Sequence, residues 1–448
     1  MEQFDTIIIG FGKAGKTIAG KLAGKGERVA LIEKDSGMYG GTCINVGCIP
    51  SKRLVTDAAA APRGSFEEKS AYYRQVIEDK RKLTGALRAA NLNKLLKAGV
   101  KVYDGHAEFL EAHILSVTDA QGARTQLRGE KIVINTGARP WIPPIQGVQD
   151  NPQVFVSETL LDLDRLPERL TIIGGGYIGL EFASMYAEFG SRVTMIQDGP
   201  LFLPREDRDI ADSILEVLKS KGVSLITDAD VYSVSGGDVH YRLRGQEQTQ
   251  QGDAVLLATG RRPNTDGLHP ERAGIALTER GGIRTDERLK TTAPGVWAAG
   301  DVCGNLQFTY ISLDDSRIVL SDMAAEGERT TENRGAFAYS VFIDPPYAKV
   351  GIGEREAKEK GLDVRFVSMK TEMIPKAKVL RKTEGLLKAV IDRQSGHILG
   401  AALFCAEAHE LINLIKLAMD QNLPYTALRD FMYTHPTIAE GLNDLFAL

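Results

Sequence analysis

An α/β chain with two Rossmann-like dinucleotide-binding domains and a C-terminal α+β unit is what this sequence predicts. Three observations carry the prediction. A strand, glycine turn, helix, strand and acid follow one another through residues 4–34. The same pattern returns at residues 169–198 without the acid in its usual place. After residue 335 the glycine fingerprints cease, and the chain reads as strands with one amphipathic helix.

The bulk properties frame this. The chain has 448 residues, 43% apolar and 25% charged, an ordinary globular composition. A formal net charge of -4 gives no support for a nucleic-acid partner. No apolar run reaches the roughly 18 residues of a spanning helix, so no membrane partner is expected. The opening MEQFDTIIIG enters a strand directly, without the basic region of a signal peptide. Four cysteines (Cys43, Cys48, Cys303 and Cys405) make no disulfide scaffold, so a cytoplasmic location is the default expectation.

In the first unit, an apolar strand over Thr6–Ile9 runs into Gly10-Phe11-Gly12-Lys13-Ala14-Gly15. Gly10 permits the tight turn, Gly12 lets backbone approach a pyrophosphate, and Gly15 lets the helix pack on the strand. The helix start faces the phosphates. The second strand, Arg28–Ile32, ends on Glu33, placed to accept bonds from a ribose.

In the second unit Gly174, Gly176 and Gly179 repeat the fingerprint. Two such folds suggest two dinucleotides, and a flavin with a nicotinamide is the usual pair because hydride passes between them. Where an acid would hold the adenine ribose the chain has Gln197, then Asp198. Gln197 repels no 2′-phosphate, and no Arg stands beside it, the nearest downstream being Arg205. NADH and NADPH both remain open.

Three further stretches fit a flavin. IVINTG, ending at Thr136-Gly137, and VLLATG, ending at Gly260, are buried strands running into turns. VWAAGD ends on Asp301, which suits either a flavin's ribitol hydroxyl or a helix N-cap. Residues 60–75, charged and containing Gly and Pro, read as the loosest surface stretch.

Cys43 and Cys48 stand with four residues between them in GGTCINVGCIPSK. Zinc ribbons need a second ligand pair, and ferredoxin-type clusters need four ligands; Cys303 and Cys405 are single. Gly40 and Gly41 allow close backbone approach to a ligand. A helix beginning near the pair would lower a thiol pKa. A redox dithiol beside a flavin fits these features.

This stretch resembles the active site of the class I pyridine nucleotide–disulfide oxidoreductases, which include lipoamide dehydrogenase, glutathione reductase and mercuric reductase. The resemblance runs the whole chain in order, through GFGKAG, GGTCINVGCIPSK, TGARP, GGGYIGLE, ATGRRPN, AAGDV and HPTIAE. It implies FAD-binding segments at 1–147 and 269–335, a nicotinamide segment at 148–268 and a dimerisation domain at 336–448. It implies FAD held by Gly10, Gly12, Gly15, Glu33, Lys34, Gly41, Thr42, Lys52, Ala107, Thr136, Gly137, Asp301 and Thr309, with Thr309 contributing backbone. It implies NADH or NADPH at Gly174, Gly176, Tyr177, Ile178, Gly179, Gln197, Val231 and Gly260. By the same resemblance Cys48 faces the flavin and Cys43 is the outer, interchange thiol. Lys52 and Glu181 form an ion pair near the flavin. His435, held by Glu440, takes and returns the interchange thiol's proton in the partner subunit, which implies a twofold homodimer.

The acceptor is read from departures. Mercuric reductases of the family carry a C-terminal cysteine pair, whereas this chain ends NDLFAL. Lipoamide dehydrogenases have a His two positions before the base, where this chain has Tyr433. LFLPREDRDIAD, QFTYISLDDSRIV, HELINLIKLAMD and LPYTALRDFMYTHPTIAEGLNDLF are similar to the family's bacterial reactive-chlorine-resistance branch. That branch implies NAD(P)H-dependent reduction of copper(II), with mercury(II) as a second candidate. Copper would pass transiently over Cys43 and Cys48, without a structural metal. The alternatives are a reductase of lipoamide or a low-molecular-weight disulfide, and a flavin-binding redox sensor. Met38 is read as packing and His409 as a dimer-helix residue.

Overall fold

The computed structural model describes residues 1–325 and 327–447. Its first sheet has the strand order Lys101–Asp104, Val29–Glu33, Glu2–Ile9, Arg124–Ile134, Ile114–Thr118, His106–Glu111, with Val296–Ala298 added against Arg124–Ile134. The strands around Glu2–Ile9 are parallel, and Ile7, Ile8, Leu31, Ile132 and Val133 are fully buried. A parallel sheet is covered on both faces, which is why these strands read as unbroken apolar runs. Helices Lys13–Ala23 and Thr309–Met323 pack one face through Ile18, Ala19, Ile318 and Val319. The first sheet therefore draws on two stretches of chain far apart in sequence.

A second sheet is wholly parallel, in the order Ser224–Ile226, Arg192–Ile196, Arg169–Ile173, Ala254–Leu257, Val154–Val156. Beside it lies a three-stranded antiparallel meander over residues 229–250. The C-terminal unit is a five-stranded antiparallel sheet, Ala338–Val341, Tyr347–Gly351, Ile398–Phe404, Leu386–Asp392, Val364–Lys370. Helix Ala408–Asp420 packs on it through Leu411, Ile412 and Ile415.

The stretch 60–75 departs from expectation. From Phe66 it is the start of a 32-residue helix, Phe66–Lys97. Ser65 accepts from the Glu68 N–H (3.2 Å) while Glu68 accepts from the Ser65 N–H (2.7 Å). This reciprocal cap satisfies two N–H groups that a helix start otherwise leaves open. Tyr73, in the same stretch, is fully buried and bonds Tyr186 at 2.8 Å, tying this helix to the second unit. Among the described residues no helix is long and apolar enough to cross a membrane.

Candidate active site

The first cleft is shaped by glycines that admit no substitute. Gly10 sits at φ +103°, and a Cβ there would stand 2.3 Å from the Asn135 carbonyl oxygen. Gly41, at φ +84°, lets its loop come so close that a Cβ would lie 2.8 Å from Gly12 Cα. Asn135 locks this corner: its Oδ1 accepts from the Gly15 N–H (2.8 Å) and its Nδ2 donates to the Ala299 carbonyl (2.6 Å). Sequence reasoning passed over Asn135; the signal available was its place between a buried strand and a Thr-Gly turn.

Gly10, Gly12, Glu33, Lys34, Gly41, Thr42, Ala107, Thr136, Gly137, Asp301 and Thr309 line this cleft together with both close thiols and Met38. Gly15 and Lys52 do not. Gly15 lies in the first turn of helix Lys13–Ala23, where a Cβ would meet the Gly10 carbonyl at 2.4 Å, so it serves packing. Glu33 accepts from the Phe11 N–H at 2.9 Å, and burial raises its carboxyl. Burial also raises Asp301, another residue of the cleft wall. Helix Lys13–Ala23 starts with no side-chain cap. A glycine-lined helix start for a diphosphate, an acid for a ribose and a second acid for a polyol together fit FAD.

Cys43 lies in the short helix Thr42–Asn45, and Cys48 is the first residue of helix Cys48–Ala59. Both are free thiols. A hydrogen bond from Cys43 pulls Cys48 down to about 6 against its burial, helped by the Thr309 hydroxyl at 3.3 Å and by the charge of Lys52. The same bond, with burial, pushes Cys43 up. Lys52 donates to both oxygens of Glu181 (2.9 and 2.7 Å), and its ammonium lies 4.5 Å from the centre of the Phe342 ring. Glu181 also accepts from the Phe342 N–H at 2.9 Å. Cys303 and Cys405 are buried and pushed up by that burial, Cys405 to about 12, so neither is a thiolate source.

Gly174, Gly176, Tyr177, Gln197, Val231 and Gly260 line a second cleft; Ile178 and Gly179 do not. A Cβ on Gly179 would stand 2.3 Å from the Gly174 carbonyl, so it too serves packing. Gln197 turns its amide inward, donating to the Gly199 (2.7 Å) and Leu201 (3.0 Å) carbonyls. Arg205, eight residues on, reaches the same cleft. Neighbouring Glu206 is buried and accepts from Tyr177, from Tyr339 (2.6 Å), from Tyr347 and from Lys349 (3.2 Å). Sequence reading missed this network because its members come from two units.

His435 Nδ1 lies 2.7 Å from Glu440 Oε2, and the His435 side chain is 70% exposed. It is not among the residues lining its own chain's dithiol cleft. His409 packs against the Phe342 ring, 5.3 Å between centres. Among the described residues no cluster of three or more His, Cys, Asp or Glu side chains is arranged to hold a metal.

Comparison with known proteins places this geometry. Residues 4–316 match the family model for pyridine nucleotide-disulphide oxidoreductases, and residues 337–446 match that family's dimerisation domain. The chain is 48% identical, over all of both chains, to the probable pyridine nucleotide-disulfide oxidoreductase RclA of Escherichia coli. It is 33% identical to a mercuric reductase of Streptomyces lividans, over 98% of this chain and 95% of that one. Among solved structures it resembles the Cu(II) complex of the C43S mutant of the HOCl-induced flavoprotein disulfide reductase RclA from Escherichia coli. That match has a TM-score of 0.94 at 47% identity and covers 100% of both chains.

Proposed function

Because the chain belongs to the pyridine nucleotide-disulphide oxidoreductase family and is an FAD- and NAD(P)H-dependent oxidoreductase, we propose that it reduces copper(II) in defence against reactive chlorine. The observation that carries this reading is the half-buried pair of free thiols, in which Cys48, at a helix start and 3.3 Å from the Thr309 hydroxyl, is the more acidic and Cys43 the less. Thiolates are soft donors that favour copper in its reduced state. The names of the Escherichia coli relative, HOCl-induced and captured as a Cu(II) complex, support the same acceptor. A Cu(II) complex exists of that relative's C43S mutant, so the part we give Cys43 is electron delivery rather than ion capture.

In this reading the Gly10–Gly15 turn, Glu33 and Asp301 hold FAD, and the Gly174–Gly179 turn with Tyr177 holds the nicotinamide. Bound FAD supplies a two-electron link between NAD(P)H and the thiols. The protein's own groups manage charge and protons. Thr309 and Lys52 keep Cys48 ionised, and Glu181 fixes Lys52. Oxidation of the Cys48 thiolate and Cys43 thiol to the disulfide releases two electrons and one proton, and two copper(II) ions each take one electron. The working form is a homodimer joined through the dimerisation domain, acting in the cytoplasm.

The test is anaerobic NAD(P)H oxidation with copper(II), with copper(I) trapped by a chelator. Copper(I) forms at about two per NAD(P)H, and Cys43→Ala slows it strongly. A Cys43→Ala enzyme as fast as wild type ends the proposal. One observation favours a second reading, reduction of a small disulfide. Disulfide exchange needs a proton donor and acceptor, and the His435–Glu440 pair is built as one. Lipoamide or glutathione disulfide outpacing copper(II) by orders of magnitude in kcat/KM would establish it.

A further inference from the structure

Lys16 lies one turn into helix Lys13–Ala23, half-buried. Its Nζ donates to the Gly40 carbonyl (3.0 Å) and to Asn91 Oδ1 (2.9 Å), on the long helix Phe66–Lys97. Gly40 and Gly41 lead directly into Thr42–Asn45, which carries Cys43. That short helix is itself held in place. Asn45 Nδ2 donates to the Tyr39 and Gly41 carbonyls, both at 3.0 Å, and Asn45 Oδ1 accepts from Arg88 Nε at 2.9 Å. The ammonium is thus clamped where the polypeptide turns toward the outer thiol. Neither oxygen that clamps it carries a formal charge, so its own charge stays uncompensated at close range. Burial, with Lys13 and Lys94 adding to it, pulls Lys16 down to about 8, opposed by Cys43. Lys16 in turn opposes the upward push on Cys43. On the other thiol, Lys52 acts in the same sense.

We propose that Lys16 is a positioning residue for Cys43, a cation fixed on Gly40 and Asn91 that supports the outer thiolate as Lys52 supports the inner one. Each thiol then has its own lysine, presented from a different helix. The assignment rests on reading Cys43 as the thiol that meets the acceptor. Such a thiol must ionise at the moment of electron or disulfide exchange, although its hydrogen bond to Cys48 holds it protonated at rest. A fixed cation lowers the cost of that ionisation without supplying a proton carrier.

The test titrates each thiol alone in the FAD-loaded enzyme. In a Cys48→Ser background, iodoacetamide alkylation of Cys43 is followed by mass spectrometry from pH 6 to 10. Lys16→Gln should move the Cys43 profile up by about one pH unit, and Lys16→Arg should restore it. In a Cys43→Ser background the same Lys16→Gln should leave the Cys48 profile in place, which a general loss of structure would not do. Asn91→Asp is a second route: a carboxylate against the ammonium cancels its field and should shift Cys43 in the same direction. A Cys43 profile that stays put in both variants, or one that moves together with that of Cys48, overturns the proposal. These readouts involve no acceptor, so they stand or fall separately from the copper assay.

Discussion

Cys48 Sγ stands 3.3 Å from Thr309 Oγ1, and these are the first residues of two helices, Cys48–Ala59 and Thr309–Met323. Two helix starts therefore meet at one thiol, whose negative form the positive end of a helix favours. The family resemblance assigned Thr309 a backbone part only; the hydroxyl is an addition. It stabilises the ionised form, so removing it must raise the Cys48 pKa from about 6. Thr309→Val in a Cys43→Ser enzyme is expected to shift the pH profile of Cys48 alkylation upward, and Thr309→Ser to restore it. An unchanged profile in Thr309→Val would show that the hydroxyl does not bear on the thiolate.

Glu206 gives a stability prediction. Burial pushes its carboxyl up, but Lys349 and the hydroxyls of Tyr177, Tyr339 and Tyr347 outweigh it and hold it below the ordinary value. A group whose folded pKa is depressed contributes stability above its unfolded pKa, near 4.5, and loses it as pH falls through the folded value. Glu206→Gln leaves the half-buried Lys349 without its carboxylate and should cost on the order of 2 kcal/mol at pH 7. Urea unfolding at pH 7 and pH 4 checks this: the deficit should be large at the first and smaller at the second. Tyr177 also lines the nicotinamide cleft, so the KM for NAD(P)H should rise in the same variant.

Local pattern carried much of the fold. The two glycine fingerprints, the strands on either side of them and the Gly47–Pro50 helix start are short-range features, and residues such as Gly10 and Gly41 have no alternative in their place. What escaped the sequence is contact between distant segments. Asn135 bridging Gly15 and Ala299, Glu206 meeting three tyrosines, and Lys16 against Gly40 each depend on where the sheets lie. The Ser65–Glu68 cap was legible in principle, as a Ser followed three residues later by Glu, but the Pro and Gly before it drew the reading toward a loop. The fold also brings Arg205 into the cleft of Gln197, although eight residues separate them.

That last placement bears on cofactor choice, which the residues at Gln197 and Asp198 left open. Gln197 uses its amide to hold the Gly199 and Leu201 carbonyls. Gln197→Glu would face those oxygens with a carboxylate and loosen the loop, so it tests cofactor choice poorly. Arg205→Ala is the cleaner probe. It should weaken NADPH relative to NADH by roughly tenfold, about 1.4 kcal/mol, as measured by the ratio of kcat/KM. Equal losses for both cofactors would mean that Arg205 does not read the 2′-phosphate.

The dimer prediction rests on exposed apolar side chains. Leu414 and Leu417 on helix Ala408–Asp420 are open in the single chain, as are Phe431 and Met432, Met432 at 92% exposure. Large apolar side chains left this exposed mark an association site. Leu417→Glu should move the protein toward monomer in sedimentation velocity at micromolar concentration. The Cys48 alkylation profile should be unchanged, because Leu417 lies outside the dithiol cleft. A dimer unmoved by Leu417→Glu and Met432→Glu together would place the interface on another face.

The His435–Glu440 pair separates the two acceptors. Its 2.7 Å contact fixes the imidazole, yet the ring is open to solvent and lies outside its own chain's dithiol cleft. In a homodimer it would serve the other subunit. Reduction of a disulfide places protons on two leaving sulfurs, so loss of a positioned acid should slow it by about 10²- to 10⁴-fold. Reduction of copper(II) moves an electron from sulfur to metal and requires no proton at the acceptor. His435→Ala should therefore suppress turnover of lipoamide or glutathione disulfide far more than turnover of copper(II). Glu440→Gln should follow the same pattern more weakly, because it leaves the imidazole present but unsupported. Mixed dimers of a Cys43→Ser subunit and a His435→Ala subunit retain one complete site if the histidine acts across the interface. Their disulfide activity should be about half of wild type, while an intrachain histidine would leave no complete site and almost no activity. Equal suppression of copper and disulfide turnover by His435→Ala would mean that the histidine serves a step common to both acceptors, and the proton argument for telling them apart would fail.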